Sequence, residues 1–161
     1  MSPEKKDAAT AASSGPERTA DGHHIVVNGR TWRATDPCIP EKFREELVRE
    51  LMSARRAVKS KDEHARERVQ DAKVALGERG DPWWETPSES GLRERRAATI
   101  RALLRHRAGT TICPSDVARD MADVGEITVQ QKGETVDITT ARGPVRLAPG
   151  PKLTGMPADG D

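Results

Sequence analysis

The sequence predicts an α+β fold: a small β-hairpin plus an antiparallel helical hairpin, followed by a shortened winged-helix-like unit. Three observations carry this reading. Apolar residues recur at three- and four-residue intervals over three segments, the period of a helix with one buried face. Asn28-Gly29 stands between two short β-prone runs, and from Glu126 onward the apolar period drops to two. Stretches without apolar periodicity separate these blocks.

The elements follow in chain order. Residues 1–22 mix Ala, Ser, Lys, Glu and Asp without periodicity and predict a disordered tail. The first folded unit is expected over residues 23–85. Ile25, Val26 and Val27 lead into Asn28-Gly29, with Thr31, Trp32 and Arg33 beyond, because both positions of a tight hairpin turn favour positive φ. Asp36-Pro37 breaks the chain, and Pro40 suits a first helical turn, where its missing N–H costs nothing. Phe43, Leu47, Leu51, Ala54 and Val58 then form one helical face. Ser60 and Glu63 read as a capping box for a second helix, whose face is Ala65, Val69, Ala72 and Leu76 and whose end is Gly77. Trp83 and Trp84 follow and are expected to lid the helical pair.

Residues 86–91 carry no apolar side chain and predict a linker. The second unit is expected over residues 92–148. Ala97, Ile100, Leu103 and Leu104 form the stripe of a helix from about Leu92 to Arg107, whose other faces carry Arg93, Arg95, Arg96, Arg101, Arg105 and Arg107. Val117, Ala118 and Met121 suggest a short second helix. Ile127 and Val129 then share one strand face, Lys132-Gly133 turns the chain, Val136 and Ile138 continue, and Val145 with Leu147 ends the sheet. Helix, helix, strand, turn, strand is winged-helix order with the recognition helix missing, since only residues 122–125 separate Met121 from Glu126 and a mean helix needs about 11. Residues 149–161 repeat the tail composition and predict a second loose end.

Composition bounds the function. Hydrophobic residues are 34% of the chain and aromatics only three Trp and one Phe, so the core is small and aliphatic. A unit of about 60 residues buries only about 60% of its unfolded surface, so two such units should pack on each other or on a partner. A net charge of +1 gives no global field toward nucleic acid, membrane or acidic substrate, and electrostatic targeting must be local. The excess of Arg over Lys reads as a GC-rich genome. No apolar run reaches the roughly 20 residues of a membrane span, and no signal peptide is expected. Cys38 and Cys113 are isolated, which points to a reducing cytoplasm.

Several motifs of the second unit coincide with a known family. They are Arg105-His106-Arg107, the run Thr111-Ile112-Cys113-Pro114-Ser115-Asp116-Val117-Ala118-Arg119, Gly125-Glu126-Ile127, Gln131-Lys132-Gly133, Val136-Asp137, and Thr140-Ala141-Arg142-Gly143-Pro144-Val145-Arg146. On these, the last third of the chain resembles the bacterial family catalogued as domain of unknown function 3253. The resemblance implies a winged-helix-like unit without an assigned activity. The chain departs from it between Met121 and Ala122, where the family carries one more helix, typically with a Trp; the element that would enter a major groove is absent. The first unit resembles a short bacterial segment sometimes labelled biopolymer transporter Tol. It does so through Trp32-Arg33-Ala34-Thr35-Asp36-Pro37, Glu46-Leu47-Val48, Ala54-Arg55-Arg56-Ala57-Val58 and residues 71–84. Its residues themselves carry no transport chemistry.

The candidate functional residues are few. Lys132, Arg142 and Arg146 flank the expected wing and could contact phosphates, which position without specifying sequence; the plainer reading is protection of a sheet edge. Arg101 and Arg105 stand for the arginine-rich helix as further phosphate contacts, against a solvated face. Trp83 and Trp84 could fill a partner's pocket, against a place in the core. Cys113 at a helix start could have a lowered thiol pKa, against service as a small hydrophobe. His23, His24, His64, His106 and the two Cys lack metal-ligand spacing. No nucleophile–base order, carboxylate pair or phosphate loop appears. The sequence therefore reads as a non-enzymatic binding protein without cofactor or metal. Its C-terminal unit is expected to hold nucleic acid weakly and without sequence choice. The alternative is a protein–protein adaptor built on the helical hairpin and Trp83-Trp84.

Overall fold

Turn chemistry places the first sheet. In the computed structural model, which describes residues 15–112, 121–122 and 125–156, Asn28 and Gly29 have φ of 51° and 74°, the left-handed pair a two-residue hairpin requires. They join β2 (His24–Val27) to β3 (Arg30–Arg33), and β1 (Glu17–Arg18) adds to β2, giving an antiparallel sheet in the order β1-β2-β3. The tail expected through residue 22 is corrected here. Glu17 and Arg18 pair with Val26 and Ile25, and the Asp21 carboxylate and Thr19 hydroxyl accept from the amides of His23 and His24. Residues 1–14 lie outside the described residues.

The helical pair is α1 (Glu41–Lys59) and α2 (Ala65–Ala75). Pro40 precedes α1 with an extended ψ of 137°. Leu47, Leu51 and Ala54 are buried, whereas Phe43 and Val58, at the two ends of the same stripe, are 40% and 37% exposed. The expected capping box is also corrected. Ser60 closes α1, with its amide donating to Arg56 and Ala57 carbonyls. His64 opens α2 instead, and the Asp62 carboxylate accepts from the His64 amide. Gly77 ends α2 at φ 79°, and a Cβ there would sit 3.0 Å from Asp36 and 3.2 Å from Trp83. Glycine at this position thus answers both a backbone conformation and a close approach.

Helix α3 (Glu89–His106) begins inside the stretch expected as a linker. The Ser88 hydroxyl accepts from the Gly91 amide, and the Asp81 carboxylate accepts from both the amide and hydroxyl of Ser88, so the cap is assembled from residues before the apolar stripe. Ala97, Ala98, Ile100, Ala102, Leu103 and Leu104 are buried.

The second sheet comprises β4 (Ile127–Gln131), β5 (Glu134–Thr135) and β6 (Arg146–Pro149), antiparallel in the order β5-β4-β6. Lys132 and Gly133 form its turn with φ of 54° and 88°. Ile127 and Val129 face the core together and Leu147 of β6 joins them there, while its neighbour Ala148, on the other face of the strand, is buried as well. The strand expected to continue through Val136 and Ile138 stops early. Val136 donates once more to Val129, and Asp137 then turns the chain by accepting from Thr139. Ile112 bridges the far side of β6 at Leu147. The loose end expected from residue 149 is corrected as well: Pro149 belongs to β6 and Leu153 is buried. Met121 and Ala122 are helical; the rest of the expected short second helix, with Cys113, lies outside the described residues.

One apolar cluster joins these parts. Leu47 and Leu51 of α1, Ala72 and Ala75 of α2, Ile100, Leu103 and Leu104 of α3, and Ile127, Val129 and Leu147 of the second sheet all belong to it. The apolar face of α3 therefore serves both the helical pair and the sheet.

Candidate nucleic-acid interface

The arginines of α3 divide by what surrounds them. Arg95 donates to Asp36 at 2.7 Å. Arg101 reaches Asp71 at 3.3 Å and Glu126 at 3.2 Å. Arg107 grips Glu46 with two bonds of 2.6 and 3.0 Å. Arg105 is enclosed: its side chain has no exposed surface, Nη1 donates to Asp71 at 2.5 Å, and Nε donates to the Thr154 carbonyl. Its Nη2 has no hydrogen-bond partner among the described residues. A guanidinium this enclosed has nothing to offer a phosphate. Arg101 and Arg105, expected as phosphate contacts, instead join α3 to α2 and to the start of the second sheet.

Burial and pairing pull the carboxyls of this seam in opposite directions. Burial pushes the Asp71 carboxyl above its ordinary value, although Arg105 and Arg101 both act to lower it. Glu46 is held below the ordinary glutamate value by the hydrogen bonds from Arg107. A further pair, Arg68 with Glu50 at 2.8 and 3.1 Å, is buried between α1 and α2.

Lys132, Arg142 and Arg146 are placed differently. All three are exposed, and together with Gln130, Gln131 and Pro144 they line one groove of about 640 Å³ beside the β4–β5 turn. No carboxylate lines it among the described residues. The Gln131 side chain donates to the Arg142 carbonyl at 2.5 Å, tying the segment before β6 back to β4. Three cations, from the β4–β5 turn and from the segment leading into β6, thus share one concave surface.

Trp83 and Trp84 lie against the first sheet. The Trp83 indole donates to the Ala34 carbonyl at 2.9 Å. Trp84 stacks on His23 with ring centres 4.2 Å apart and 6° between planes, while the Arg33 guanidinium stands 5.6 Å from its ring. Both are half-buried. Their shared ring partner His23 stands at the start of the hairpin, a contact that no local spacing in the sequence encodes.

No group of three or more potential metal-ligating side chains is present among the described residues. No helix among them is long and apolar enough to cross a membrane.

Residues 120–149 match the model of a family described as Protein of unknown function (DUF3253). The match spans β4 and β5, reaches the end of β6, and includes Lys132, Arg142 and Arg146. No curated protein and no solved structure matches the chain.

Proposed function

We propose that the chain is a non-enzymatic protein that binds nucleic acid weakly and without sequence choice, through the groove lined by Lys132, Arg142 and Arg146. The observation that supports this is the convergence of three exposed cations on one concave surface with no carboxylate among its described lining residues. Phosphates along a backbone match such a surface, and contacts to them carry affinity but no base information. On this reading β4, β5 and β6 act as the wing of a winged-helix-like unit, and the unit holds backbone without entering the major groove. Its place would be the cytoplasm, as the isolated cysteines also suggest. The adaptor alternative through Trp83 and Trp84 has less support, since the indole N–H of one and the ring face of the other are engaged within the chain.

Fluorescence anisotropy of labelled duplex DNA across a salt series tests this. Each neutralised phosphate contributes about −0.9 to the log–log slope, so three contacts give a slope of roughly −2.7. Replacing Lys132, Arg142 and Arg146 together by Glu should abolish binding. Binding that ignores salt, or survives the triple replacement, would refute the proposal.

A further inference from the structure

The first sheet presents an open face far in sequence from the cationic groove. Side chains alternate along a strand, and residues paired across strands share a face. The register therefore puts Arg18, Ile25 and Trp32 in one row and Val27 with Arg30 in the next. Trp32 and Val27 are 48% and 39% exposed there, whereas Trp83 and Trp84 are half-buried. Positive charge surrounds the open indole. Lys73 of α2 stands 5.6 Å from the centre of the Trp32 ring, and Arg55 and Arg79 lie near enough to Lys73 to repel it. Of the cations Arg18, Arg30, Arg55, Lys73 and Arg79, only Lys73 makes an ion pair among the described residues, with Glu78 at 3.9 Å.

We propose that this face binds an unpaired stretch of nucleic acid, with a base stacked on the open part of Trp32 and the flanking phosphates held by Arg30, Lys73 and their cationic neighbours. Two requirements of a single strand meet here. Its backbone needs positive charge without a competing row of carboxylates, and its bases need an aromatic surface to replace the stacking they lack. A duplex meets only the first, since its base faces are already covered by one another. An acidic peptide would answer the cations and leave the indole in water. Stacking tolerates any base, because every base has a π face, so this site adds a preference for unpaired strands and no sequence choice. The two surfaces share no residue, so either can fail without the other.

The test adds a thymidylate dodecamer to the full chain labelled with 5-fluorotryptophan. In fluorine NMR the Trp32 resonance, assigned by its loss in Trp32→Phe, should shift while those of Trp83 and Trp84 stay in place. By anisotropy of the labelled dodecamer, Trp32→Ala should weaken binding at least about fivefold with an unchanged circular dichroism spectrum. Trp32→Phe, which keeps a π face, should weaken it less. The variant with Glu at positions 132, 142 and 146 should still bind the single strand, at least about fivefold more tightly than a duplex of the same length. Polyglutamate should bind at least about tenfold less tightly than the dodecamer and leave the Trp32 resonance unmoved. An unmoved Trp32 resonance on adding the dodecamer, indifference to Trp32→Ala, or loss of the single strand in the triple variant would overturn the proposal. So would polyglutamate binding as tightly as the dodecamer, because the face would then suit an acidic protein segment.

Discussion

At the scale of single residues, the chain ties its surface together with arginine forks, and Glu46 shows what one of them does. Arg107 donates twice to its carboxylate, holding it ionised below the ordinary glutamate value. A depressed folded-state pKa stabilises the fold above the unfolded value, and that contribution is lost as pH falls through the folded one. Glu46→Gln should therefore be about 1–2 kcal/mol less stable at neutral pH, the range for a partly exposed charged hydrogen bond. Its deficit should shrink in acid. Urea unfolding of both proteins from neutral to acidic pH reads this, and a deficit independent of pH would refute it. Asp21, Asp81 and Asp137 are lowered by their own local hydrogen bonds, but they are common to both proteins and cancel in the difference.

At the scale of elements, the buried pair between Glu50 and Arg68 sets how α1 and α2 meet. Both are nearly enclosed, at 3% and 8% exposure, and Arg68 also donates to Ser53 at 3.1 Å. Removing one partner leaves a charge without water or counterion, so Glu50→Ala should cost about 3–5 kcal/mol. Glu50→Leu combined with Arg68→Met should cost far less, since an apolar pair of similar volume needs no desolvation of charge. Denaturant midpoints of the single and double variants decide it; equal losses would show that the pair's charges are not what matters. The sequence made the elements legible where period and turn chemistry act alone: the Leu47–Leu51–Ala54 stripe, the Ile100–Leu103–Leu104 stripe, Asn28-Gly29 and Lys132-Gly133. It did not make the helix starts legible. At α2, Asp62 captures the entry that the Ser60–Glu63 spacing suggested, because α1 runs to Lys59 and takes Ser60 as its end. At α3, the cap depends on Asp81, seven residues before Ser88, a contact that no local spacing rule encodes. The candidate site divides the same way. The turn signal located Lys132. That Arg105 points inward follows from Asp71 lying opposite it on α2, a fact of packing.

At the scale of the molecule, the apolar cluster runs from Leu47 to Leu153 and includes α1, α2, α3 and the second sheet. Contacts on both flanks of α3 couple the helical pair to that sheet, so loosening one removes cover from the other. The expected behaviour is one cooperative transition. Emission from Trp32, Trp83 and Trp84 reports on the first half of the chain, and methyl resonances of Ile127 and Leu147 report on the second. Their denaturant midpoints should coincide; midpoints that separate would show that the two halves unfold independently.

Five arginines, Arg68, Arg95, Arg101, Arg105 and Arg107, each meet a carboxylate on a different element or segment. Withdrawing charge from water is the main cost of such contacts, and that cost falls on warming, whereas apolar stabilisation per unit area levels off. The guanidinium keeps its proton throughout the range proteins encounter. The seam between the three helices is thus bound by contacts whose relative contribution grows with temperature, and a chain with one Phe and no Tyr draws a rising share of its heat resistance from arginine.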